Sequence, residues 1–260
     1  MRKLLADLHM HTTASDGCLG PAQLVEYAAK EGIDIIAVTD HDTTGGLQEA
    51  IERSRSSAVK VIPGIEISSE DKWHVLGYNI DIKKIDAFLG SINTADRNVR
   101  ILENLKSMGL CIGCGIDPSE DRFRRKLADV LVRDGVVKSK AEAFACYIGA
   151  NGKAYAKMGI RIDEIGREIR EADGIVVLAH PTETCNDRGV IEAAARKVDG
   201  IEAYTRKCGK DDSEFCCRLA EKYGLLVTGG SDFHKPSDAD GFDRGCVPEK
   251  TVRRILYGKI

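Results

Sequence analysis

Six histidines, His9, His11, His41, His74, His180 and His234, carry most of the chemistry that this sequence announces. His9 and His11 stand in Asp7-Leu8-His9-Met10-His11, and Asp16-Gly17 follows closely. Leu4 to Leu8 reads as a short buried strand, apolar except at Asp7. If the strand continues, period-two alternation turns both imidazoles to the same side. Two neighbouring imidazoles can hold one divalent metal, and a carboxylate soon afterwards could hold a second. A lone His-x-His is as readily structural as ligating, so the other four histidines decide the matter.

His41 lies in Thr39-Asp40-His41-Asp42, directly after the strand-like Ile33 to Val38. His74 opens the short apolar run Trp73 to Tyr78, soon after Glu66 in Pro63-Gly64-Ile65-Glu66. His180 ends Ile175 to Ala179 and precedes Pro181, while His234 closes Ser231-Asp232-Phe233-His234 after Leu225 to Gly229. Randomly placed surface histidines would fall on helices and in loops far from strands as well. Here each sits at a strand end, most with an acidic neighbour, which is the pattern of a metal site. Imidazole and carboxylate donors suit manganese, iron or zinc better than calcium or magnesium. Cations a few ångströms apart, bridged by one carboxylate, would supply a hydroxide nucleophile and clamp a phosphate ester in line.

The elements that must position these groups alternate along the chain. After the first strand a helix starts at Pro21 and stops before Gly32, with proline at its head and glycine past its end. Strands follow at Ile33 to Val38, Val59 to Ile65, Trp73 to Tyr78, Ile175 to Ala179, Gly200 to Tyr204 and Leu225 to Thr228, with helical periods between most of them. Near-continuous apolar strands alternating with helices predict a parallel α/β sheet covered by helices. Candidate ligands at strand ends fit a barrel with its site on the C-terminal face, and fit an open doubly wound sheet as well. Between residues 82 and 157 the alternation breaks. Ile85 to Met108 and Arg122 to Arg133 read as helices, and Ser139-Lys140-Ala141-Glu142 is a capping-box signature opening another through Phe144 and Ile148. Residues 82–157 are therefore expected to form an inserted helical subdomain, with residues 1–81 and 158–260 making the main α/β domain.

At 260 residues, 43% hydrophobic and 30% charged, the composition is that of an ordinary globular protein. A net charge of −3 argues against broad binding to duplex nucleic acid or an anionic membrane. No apolar run has the length of a membrane span, and the N-terminal apolar run stops at Asp7, too soon for a signal peptide. A cytoplasmic location is the reading. The nine cysteines are odd in number and irregularly spaced, with Cys111-Ile112-Gly113-Cys114 the sole Cys-x-x-Cys, so they read as core or incidental thiols.

Taken together, Asp7-Leu8-His9-Met10-His11, Thr39-Asp40-His41-Asp42, Pro63-Gly64-Ile65-Glu66, Leu178-Ala179-His180-Pro181 and Ser231-Asp232-Phe233-His234 resemble, in order, the motifs of the PHP (polymerase and histidinol phosphatase) family of metal-dependent phosphoesterases. The resemblance implies an irregular seven-stranded (β/α) barrel and two or three divalent transition metals. By residue-wise carry-over one metal takes His9, His11, Glu66 and Asp232, and a second shares Glu66 and takes His74 and His180. A third takes Asp16, His41 and His234, with Asp16 standing where other members have histidine. Glu66, Asp232 and His180 are thereby the residues nearest the chemistry. Members with Asp-Gly after the first motif act on nucleotides or short oligonucleotides, so the implied substrate is a nucleoside monophosphate, a 3′,5′-bisphosphate or an oligonucleotide end.

Such members carry an Arg-Pro-His segment in the insertion, and the matching stretch here is Arg124-Arg125-Lys126, with lysine replacing the histidine. Arg124, Lys126 and Arg206 are the candidate phosphate clamps. Asp7, Asp40 and Asp42 are candidates to orient ligand imidazoles, Asp7 alternatively to cap local backbone. A histidinol-phosphate or other small-metabolite phosphatase is the alternative within the family. A non-catalytic metal-binding domain should lack a ligand, and this chain lacks none. A zinc amidohydrolase would add a lysine ligand after a middle strand, where no lysine stands.

Overall fold

Seven strands are strung along the chain in the order of their pairing, so each hydrogen-bonds to its sequence neighbour. The computed structural model describes residues 2–257 apart from 93, 111, 113–115, 121–122, 150–151 and 157–158. The strands are β1 (Ala6–Met10), β2 (Ile35–Val38), β3 (Lys60–Ser68), β4 (His74–Tyr78), β5 (Ile175–Leu178), β6 (Gly200–Thr205) and β7 (Leu226–Gly230). Between and after them lie α1 (Pro21–Lys30), α2 (Leu47–Ser54), α3 (Ile82–Ser91), α4 (Thr94–Ser107), α5 (Phe123–Arg133), α6 (Lys140–Ala143), α7 (Ile162–Glu171), α8 (Pro181–Thr184), α9 (Arg188–Ala195), α10 (Lys210–Tyr223) and α11 (Glu249–Tyr257).

β1, β2 and β3 run parallel, as do β5, β6 and β7. The ends of the sheet are joined just past β1 and β7, where Met10 bridges Phe233 in parallel. His11 N–H donates to the Phe233 carbonyl (2.8 Å) and Phe233 N–H to that of His9 (3.1 Å). The architecture is therefore a seven-stranded, nearly closed α/β barrel rather than an open sheet. The expectation of a wholly parallel sheet fails at β4, which is antiparallel to both β3 and β5. Only residues 69–73 separate it from β3, too few for a helical crossover, so the chain turns back as a hairpin, with Ser69 N–H on the Trp73 carbonyl. Periodicity reports that a strand is buried on both faces; it does not report direction. The reversal has a use, because it puts the first residue of β4, His74, on the rim where the parallel strands end.

Sequence physics accounts for the supporting helices. α1 begins on Pro21, with Gln23 Oε1 accepting from Gly20 N–H (2.8 Å), and buries Pro21, Leu24, Val25 and Ala28 on one stripe. α10 ends at Gly224 in the left-handed conformation (φ +67°), the usual glycine stop. Inside, Leu8, Ile35, Ile62, Leu76, Tyr78 and Val177 belong to one buried cluster, with the Tyr78 hydroxyl donating to the Leu8 carbonyl (2.8 Å).

The chain divides into two compact units, Met1–Ala87 with Arg161–Ile260, and Phe88–Ile160. The sequence boundary at 157–158 lies outside the described residues. The second unit has its own core, including Ile101, Leu105, Phe123, Leu127, Leu131, Phe144 and Ile148. There the Ser139 hydroxyl accepts from Glu142 N–H (3.1 Å), and Glu142 Oε2 reaches back to Lys138 N–H (2.7 Å). The helix so opened widens at once into a π-helical turn, Phe144–Ile148, which periodicity had read as ordinary helix. Cys111 and Cys114 lie outside the described residues, where seven cysteines are free thiols. No described helix is long and apolar enough to cross a membrane.

Candidate metal centre

Each ligand candidate is carried to the barrel rim by a strand end or the turn after it. His9 is the fourth residue of β1 and His11 lies just beyond its end; both are fully buried, their ring centroids 5.1 Å apart. The following turn presents Asp16. Asp40 pins that turn by accepting from Thr12 N–H (2.7 Å), the Thr12 hydroxyl (2.7 Å) and the Ser15 hydroxyl (2.6 Å). Gly17 is required in the same turn, since a Cβ there would stand 2.3 Å from the His11 carbonyl oxygen. Glu66 lies near the end of β3, bridged to His41 after β2. His180 and Asp232, after β5 and β7, both adopt positive φ (+25° and +53°), a local strain that recurs at functional sites.

Glu66 is the centre of the arrangement, and its two oxygens face different partners. Oε1 lies 3.0 Å from His74 Nδ1 and 3.0 Å from His180 Nε2. Oε2 lies 3.1 Å from His41 Nδ1, 3.2 Å from His9 Nε2 and 3.4 Å from His11 Nε2. Asp232 Oδ1 faces His11 Nε2 (3.3 Å) and His9 Nε2 (3.7 Å). Asp16 faces His234 Nε2 (3.3 Å), His41 Nε2 (3.9 Å) and His11 Nδ1 (3.9 Å). All nine candidates thus converge. They form overlapping groups whose donor atoms lie within 4.8 Å of one another: His11, Asp16, His41 and His234; His9, His11 and Asp232; His9, Glu66 and His180; His41, Glu66 and His74. Three details depart from the family carry-over: His11 joins the Asp16 group, His74 groups with His41, and His180 groups with His9.

The residues fit divalent cations on independent grounds. His9 Nε2, both ring nitrogens of His11, His41 Nδ1 and Glu66 Oε2 are buried without a hydrogen-bond partner. Orphaned buried polar atoms are costly, and these five lie together in one cluster of imidazole and carboxylate groups. A mixed imidazole and carboxylate donor set suits manganese, iron or zinc. The charges agree. Burial alone would raise the Glu66 carboxyl, but His41, His9 and His74 hold it well below the usual range. Asp232 is held well below likewise, against its burial, by His11 and His9. Burial would lower His180 and His234, yet Glu66 raises the first to about 9 and Asp16 the second to about 10. His41 is the exception, pushed down to about 4 because burial outweighs Glu66 and Asp16. Ionised carboxylates that hold protons on their neighbours at neutral pH make a cluster that favours cations.

Of the two roles open to Asp7, the structure shows the backbone cap. Asp7 Oδ1 accepts from Ser231 N–H (2.9 Å) and His9 N–H (3.4 Å), which caps backbone where the barrel closes. Asp40 holds the Thr12–Ser15 turn, and Asp42 Oδ1 accepts from Ser68 N–H (3.0 Å). These bonds go to backbone and hydroxyl groups rather than to imidazoles. The carboxylate that does reach a ligand ring is Glu202 on β6, which the sequence reading passed over: it lies 3.2 Å from His9 Nδ1. Its one signal was a lone acid inside the apolar strand Gly200-Ile201-Glu202-Ala203.

Of the candidate clamps, Arg206 pairs with Asp238 (2.7 Å), whose other oxygen accepts from His234 N–H and Lys235 N–H at 3.0 Å each. Arg124 and Lys126 lie in the first turn of α5 in the second unit, where Lys126 pairs with Glu120 on the surface.

Comparison with known proteins gives the arrangement a context. The PHP domain profile matches residues 7–129. A 5′-3′ exoribonuclease of Haemophilus influenzae is 32% identical over 248 residues, 88% of this chain and 90% of the relative. A 3′,5′-nucleoside bisphosphate phosphatase of Chromobacterium violaceum is 31% identical, covering 89% of this chain and 88% of its own. A crystal structure from Bifidobacterium adolescentis, under the provisional description of a metal-dependent phosphoesterase, superposes with a TM-score of 0.75 at 30% identity, covering 96% of this chain and 95% of that one.

Proposed function

The chain belongs to the PHP domain family and is a metal-dependent phosphoric ester hydrolase, and from that premise we propose that it hydrolyses phosphate monoesters of nucleotides. The proposed substrates are nucleoside monophosphates, nucleoside 3′,5′-bisphosphates or the phosphorylated end of a short oligonucleotide. One observation carries the reading: nine candidate imidazole and carboxylate ligands converge in one cluster that includes Glu66, whose two oxygens face separate groups. The relatives named as a bisphosphate phosphatase and an exoribonuclease support the nucleotide class, and their matches run over nearly the whole chain.

Two or three divalent ions, manganese, iron or zinc, are the proposed cofactors; when bound they supply a hydroxide nucleophile and neutralise charge developing on the phosphate. Glu66 spans the two sides of the site, taking His74 and His180 on one oxygen and His9, His11 and His41 on the other. Asp232 and His180 complete the groups nearest the reacting ester, and Asp16 with His234 builds a third side. Arg206, fixed by Asp238 beside His234, is a proposed anion clamp on the barrel; Arg124 and Lys126 are proposed from the inserted unit. The described free thiols suit the reducing cytoplasm, the proposed location.

The test is a substrate panel with protein loaded with Mn²⁺: a 5′-mononucleotide, a nucleoside 3′,5′-bisphosphate, a short 5′-phosphorylated RNA and histidinol phosphate. Release of inorganic phosphate from the nucleotide substrates is expected. Turnover of histidinol phosphate alone would overturn the substrate class.

A further inference from the structure

Glu202 sits on β6 with 1% of its surface exposed, an ionisable group in a strand that otherwise reads apolar. A carboxylate buried without purpose is costly, so its partners matter. It has two, and both belong to the metal cluster. Its Oε1 and Oε2 lie 3.3 and 3.2 Å from His9 Nδ1, on the opposite side of that ring from Nε2, which faces Glu66 and Asp232. Its Oε2 also accepts from the backbone N–H of His180 (2.9 Å).

The second contact bears on conformation. His180 adopts φ +25° and ψ 55°, a region that a side-chain-bearing residue occupies only when its surroundings hold it. That backbone aims the ring so that Nε2 lies 3.0 Å from Glu66 Oε1. The first contact bears on the proton. A carboxylate can only accept, so a hydrogen sits on His9 Nδ1, and a ring that gives up its other proton on binding metal then directs its Nε2 lone pair into the cluster.

We propose that Glu202 is the positioning residue of the metal centre: one buried carboxylate fixes the tautomer of His9 and the backbone of His180, so that His9 presents Nε2 beside Glu66 Oε2 and His180 presents Nε2 beside Glu66 Oε1. The inference rests on the metal-dependent reading above. His9, Glu66 and His180 form one of the candidate ligand groups, so Glu202 braces two of the three members of that group without belonging to it.

Glu202→Gln is the discriminating variant because it keeps shape and loses an acceptor. The amide offers one oxygen to two donors. With its oxygen at the Oε2 place the NH₂ stands against His9 Nδ1–H, and turned over it stands against the His180 N–H, so either orientation opposes donor to donor. Zn²⁺ affinity, measured without substrate by competition with a chromophoric chelator, is expected to fall about 10- to 100-fold, the range for losing such a support. The far- and near-UV circular dichroism should match the wild type, and saturating Zn²⁺ should recover stoichiometry.

The wild-type protein supplies a readout that needs no variant. In ¹⁵N-labelled, Zn²⁺-loaded protein, long-range ¹H–¹⁵N spectra should show His9 protonated at Nδ1 and bound through Nε2. If the wild type takes up no Zn²⁺, the metal reading itself fails. If it binds Zn²⁺ while Glu202→Gln keeps its affinity, or if His9 is bound through Nδ1, the role of Glu202 is refuted. Should the variant not fold, the wild-type spectrum decides.

Discussion

Glu66 is a carboxylate whose two oxygens lie within 3.4 Å of five imidazole nitrogens, so its charge matters more than its volume. Glu66→Gln preserves the volume and deletes the charge. Metal content and turnover are expected to fall together, turnover by roughly a thousandfold or more, since losing the metal-supplied nucleophile costs several kcal/mol of barrier. Elemental analysis beside kinetics checks this, and near-normal activity would reduce Glu66 to a strand-end residue. Protons offer a second check. Glu66 raises His180 to about 9 and Asp16 raises His234 to about 10, so in metal-free protein both hold protons at neutral pH. A ligand imidazole must be neutral, hence metal uptake near pH 7 is expected to release protons and affinity to rise with pH. Calorimetry in buffers of different ionisation enthalpy would reveal that release; buffer-independent heats would contradict it. The residues that converge were legible in the sequence because each sits in a short motif beside a strand. Glu202 was not, because its partners lie 193 and 22 residues away and its one local mark, a lone acid in an apolar strand, names no partner.

At the scale of elements, apolar runs and helix punctuation located all seven strands to within a few residues, since burial on both faces leaves a continuous apolar signature. Direction left no such mark, which is why β4 was read as parallel although His74 was rightly placed at its start. The π-helical turn after Ser139 was equally silent, because its side chains keep a helical spacing. Closure of the barrel hangs on a residue that chemistry-bearing motifs do not feature. Gly230 ends β7 against β1, and a Cβ there would stand 2.2 Å from His9 Cβ and 2.5 Å from His9 N. No side chain can swing away from that clash, so one strand must move. Gly230→Ala is expected to destabilise by about 1–3 kcal/mol, the usual range for overpacking, and to lower metal content because His9 shifts with β1. Urea denaturation with metal analysis measures both; wild-type values for both would mean that the β1–β7 seam tolerates displacement.

For the whole molecule, the metal centre is also a fastener. Its candidate ligands run from His9 to His234 and come together only where β7 returns to β1, so the unfolded chain cannot assemble the site. Ions that bind the folded state alone stabilise it by mass action, about 2.7 kcal/mol at a hundredfold excess over Kd. For a barrel unit of this size that corresponds to a Tm rise of roughly 5–10 °C. Chelator-treated protein is therefore expected to melt that far below Mn²⁺-saturated protein. The gap should also depend on pH, and its sign follows from the histidines. His180 and His234 have folded-state values raised above the ordinary 6.5, so their stabilisation is complete below about 6.5 and is lost as pH rises through about 9 to 10. Metal-free protein should weaken across that window, because carboxylates once balanced by imidazolium are left facing one another. Metal-bound protein should not, since its cations do not titrate away and the competing protons are gone. The difference in Tm between the two forms is thus expected to widen from pH 6.5 to pH 9.5 in calorimetric scans. A gap that stays constant or narrows would mean that protons do not stand in for metal in the empty cluster.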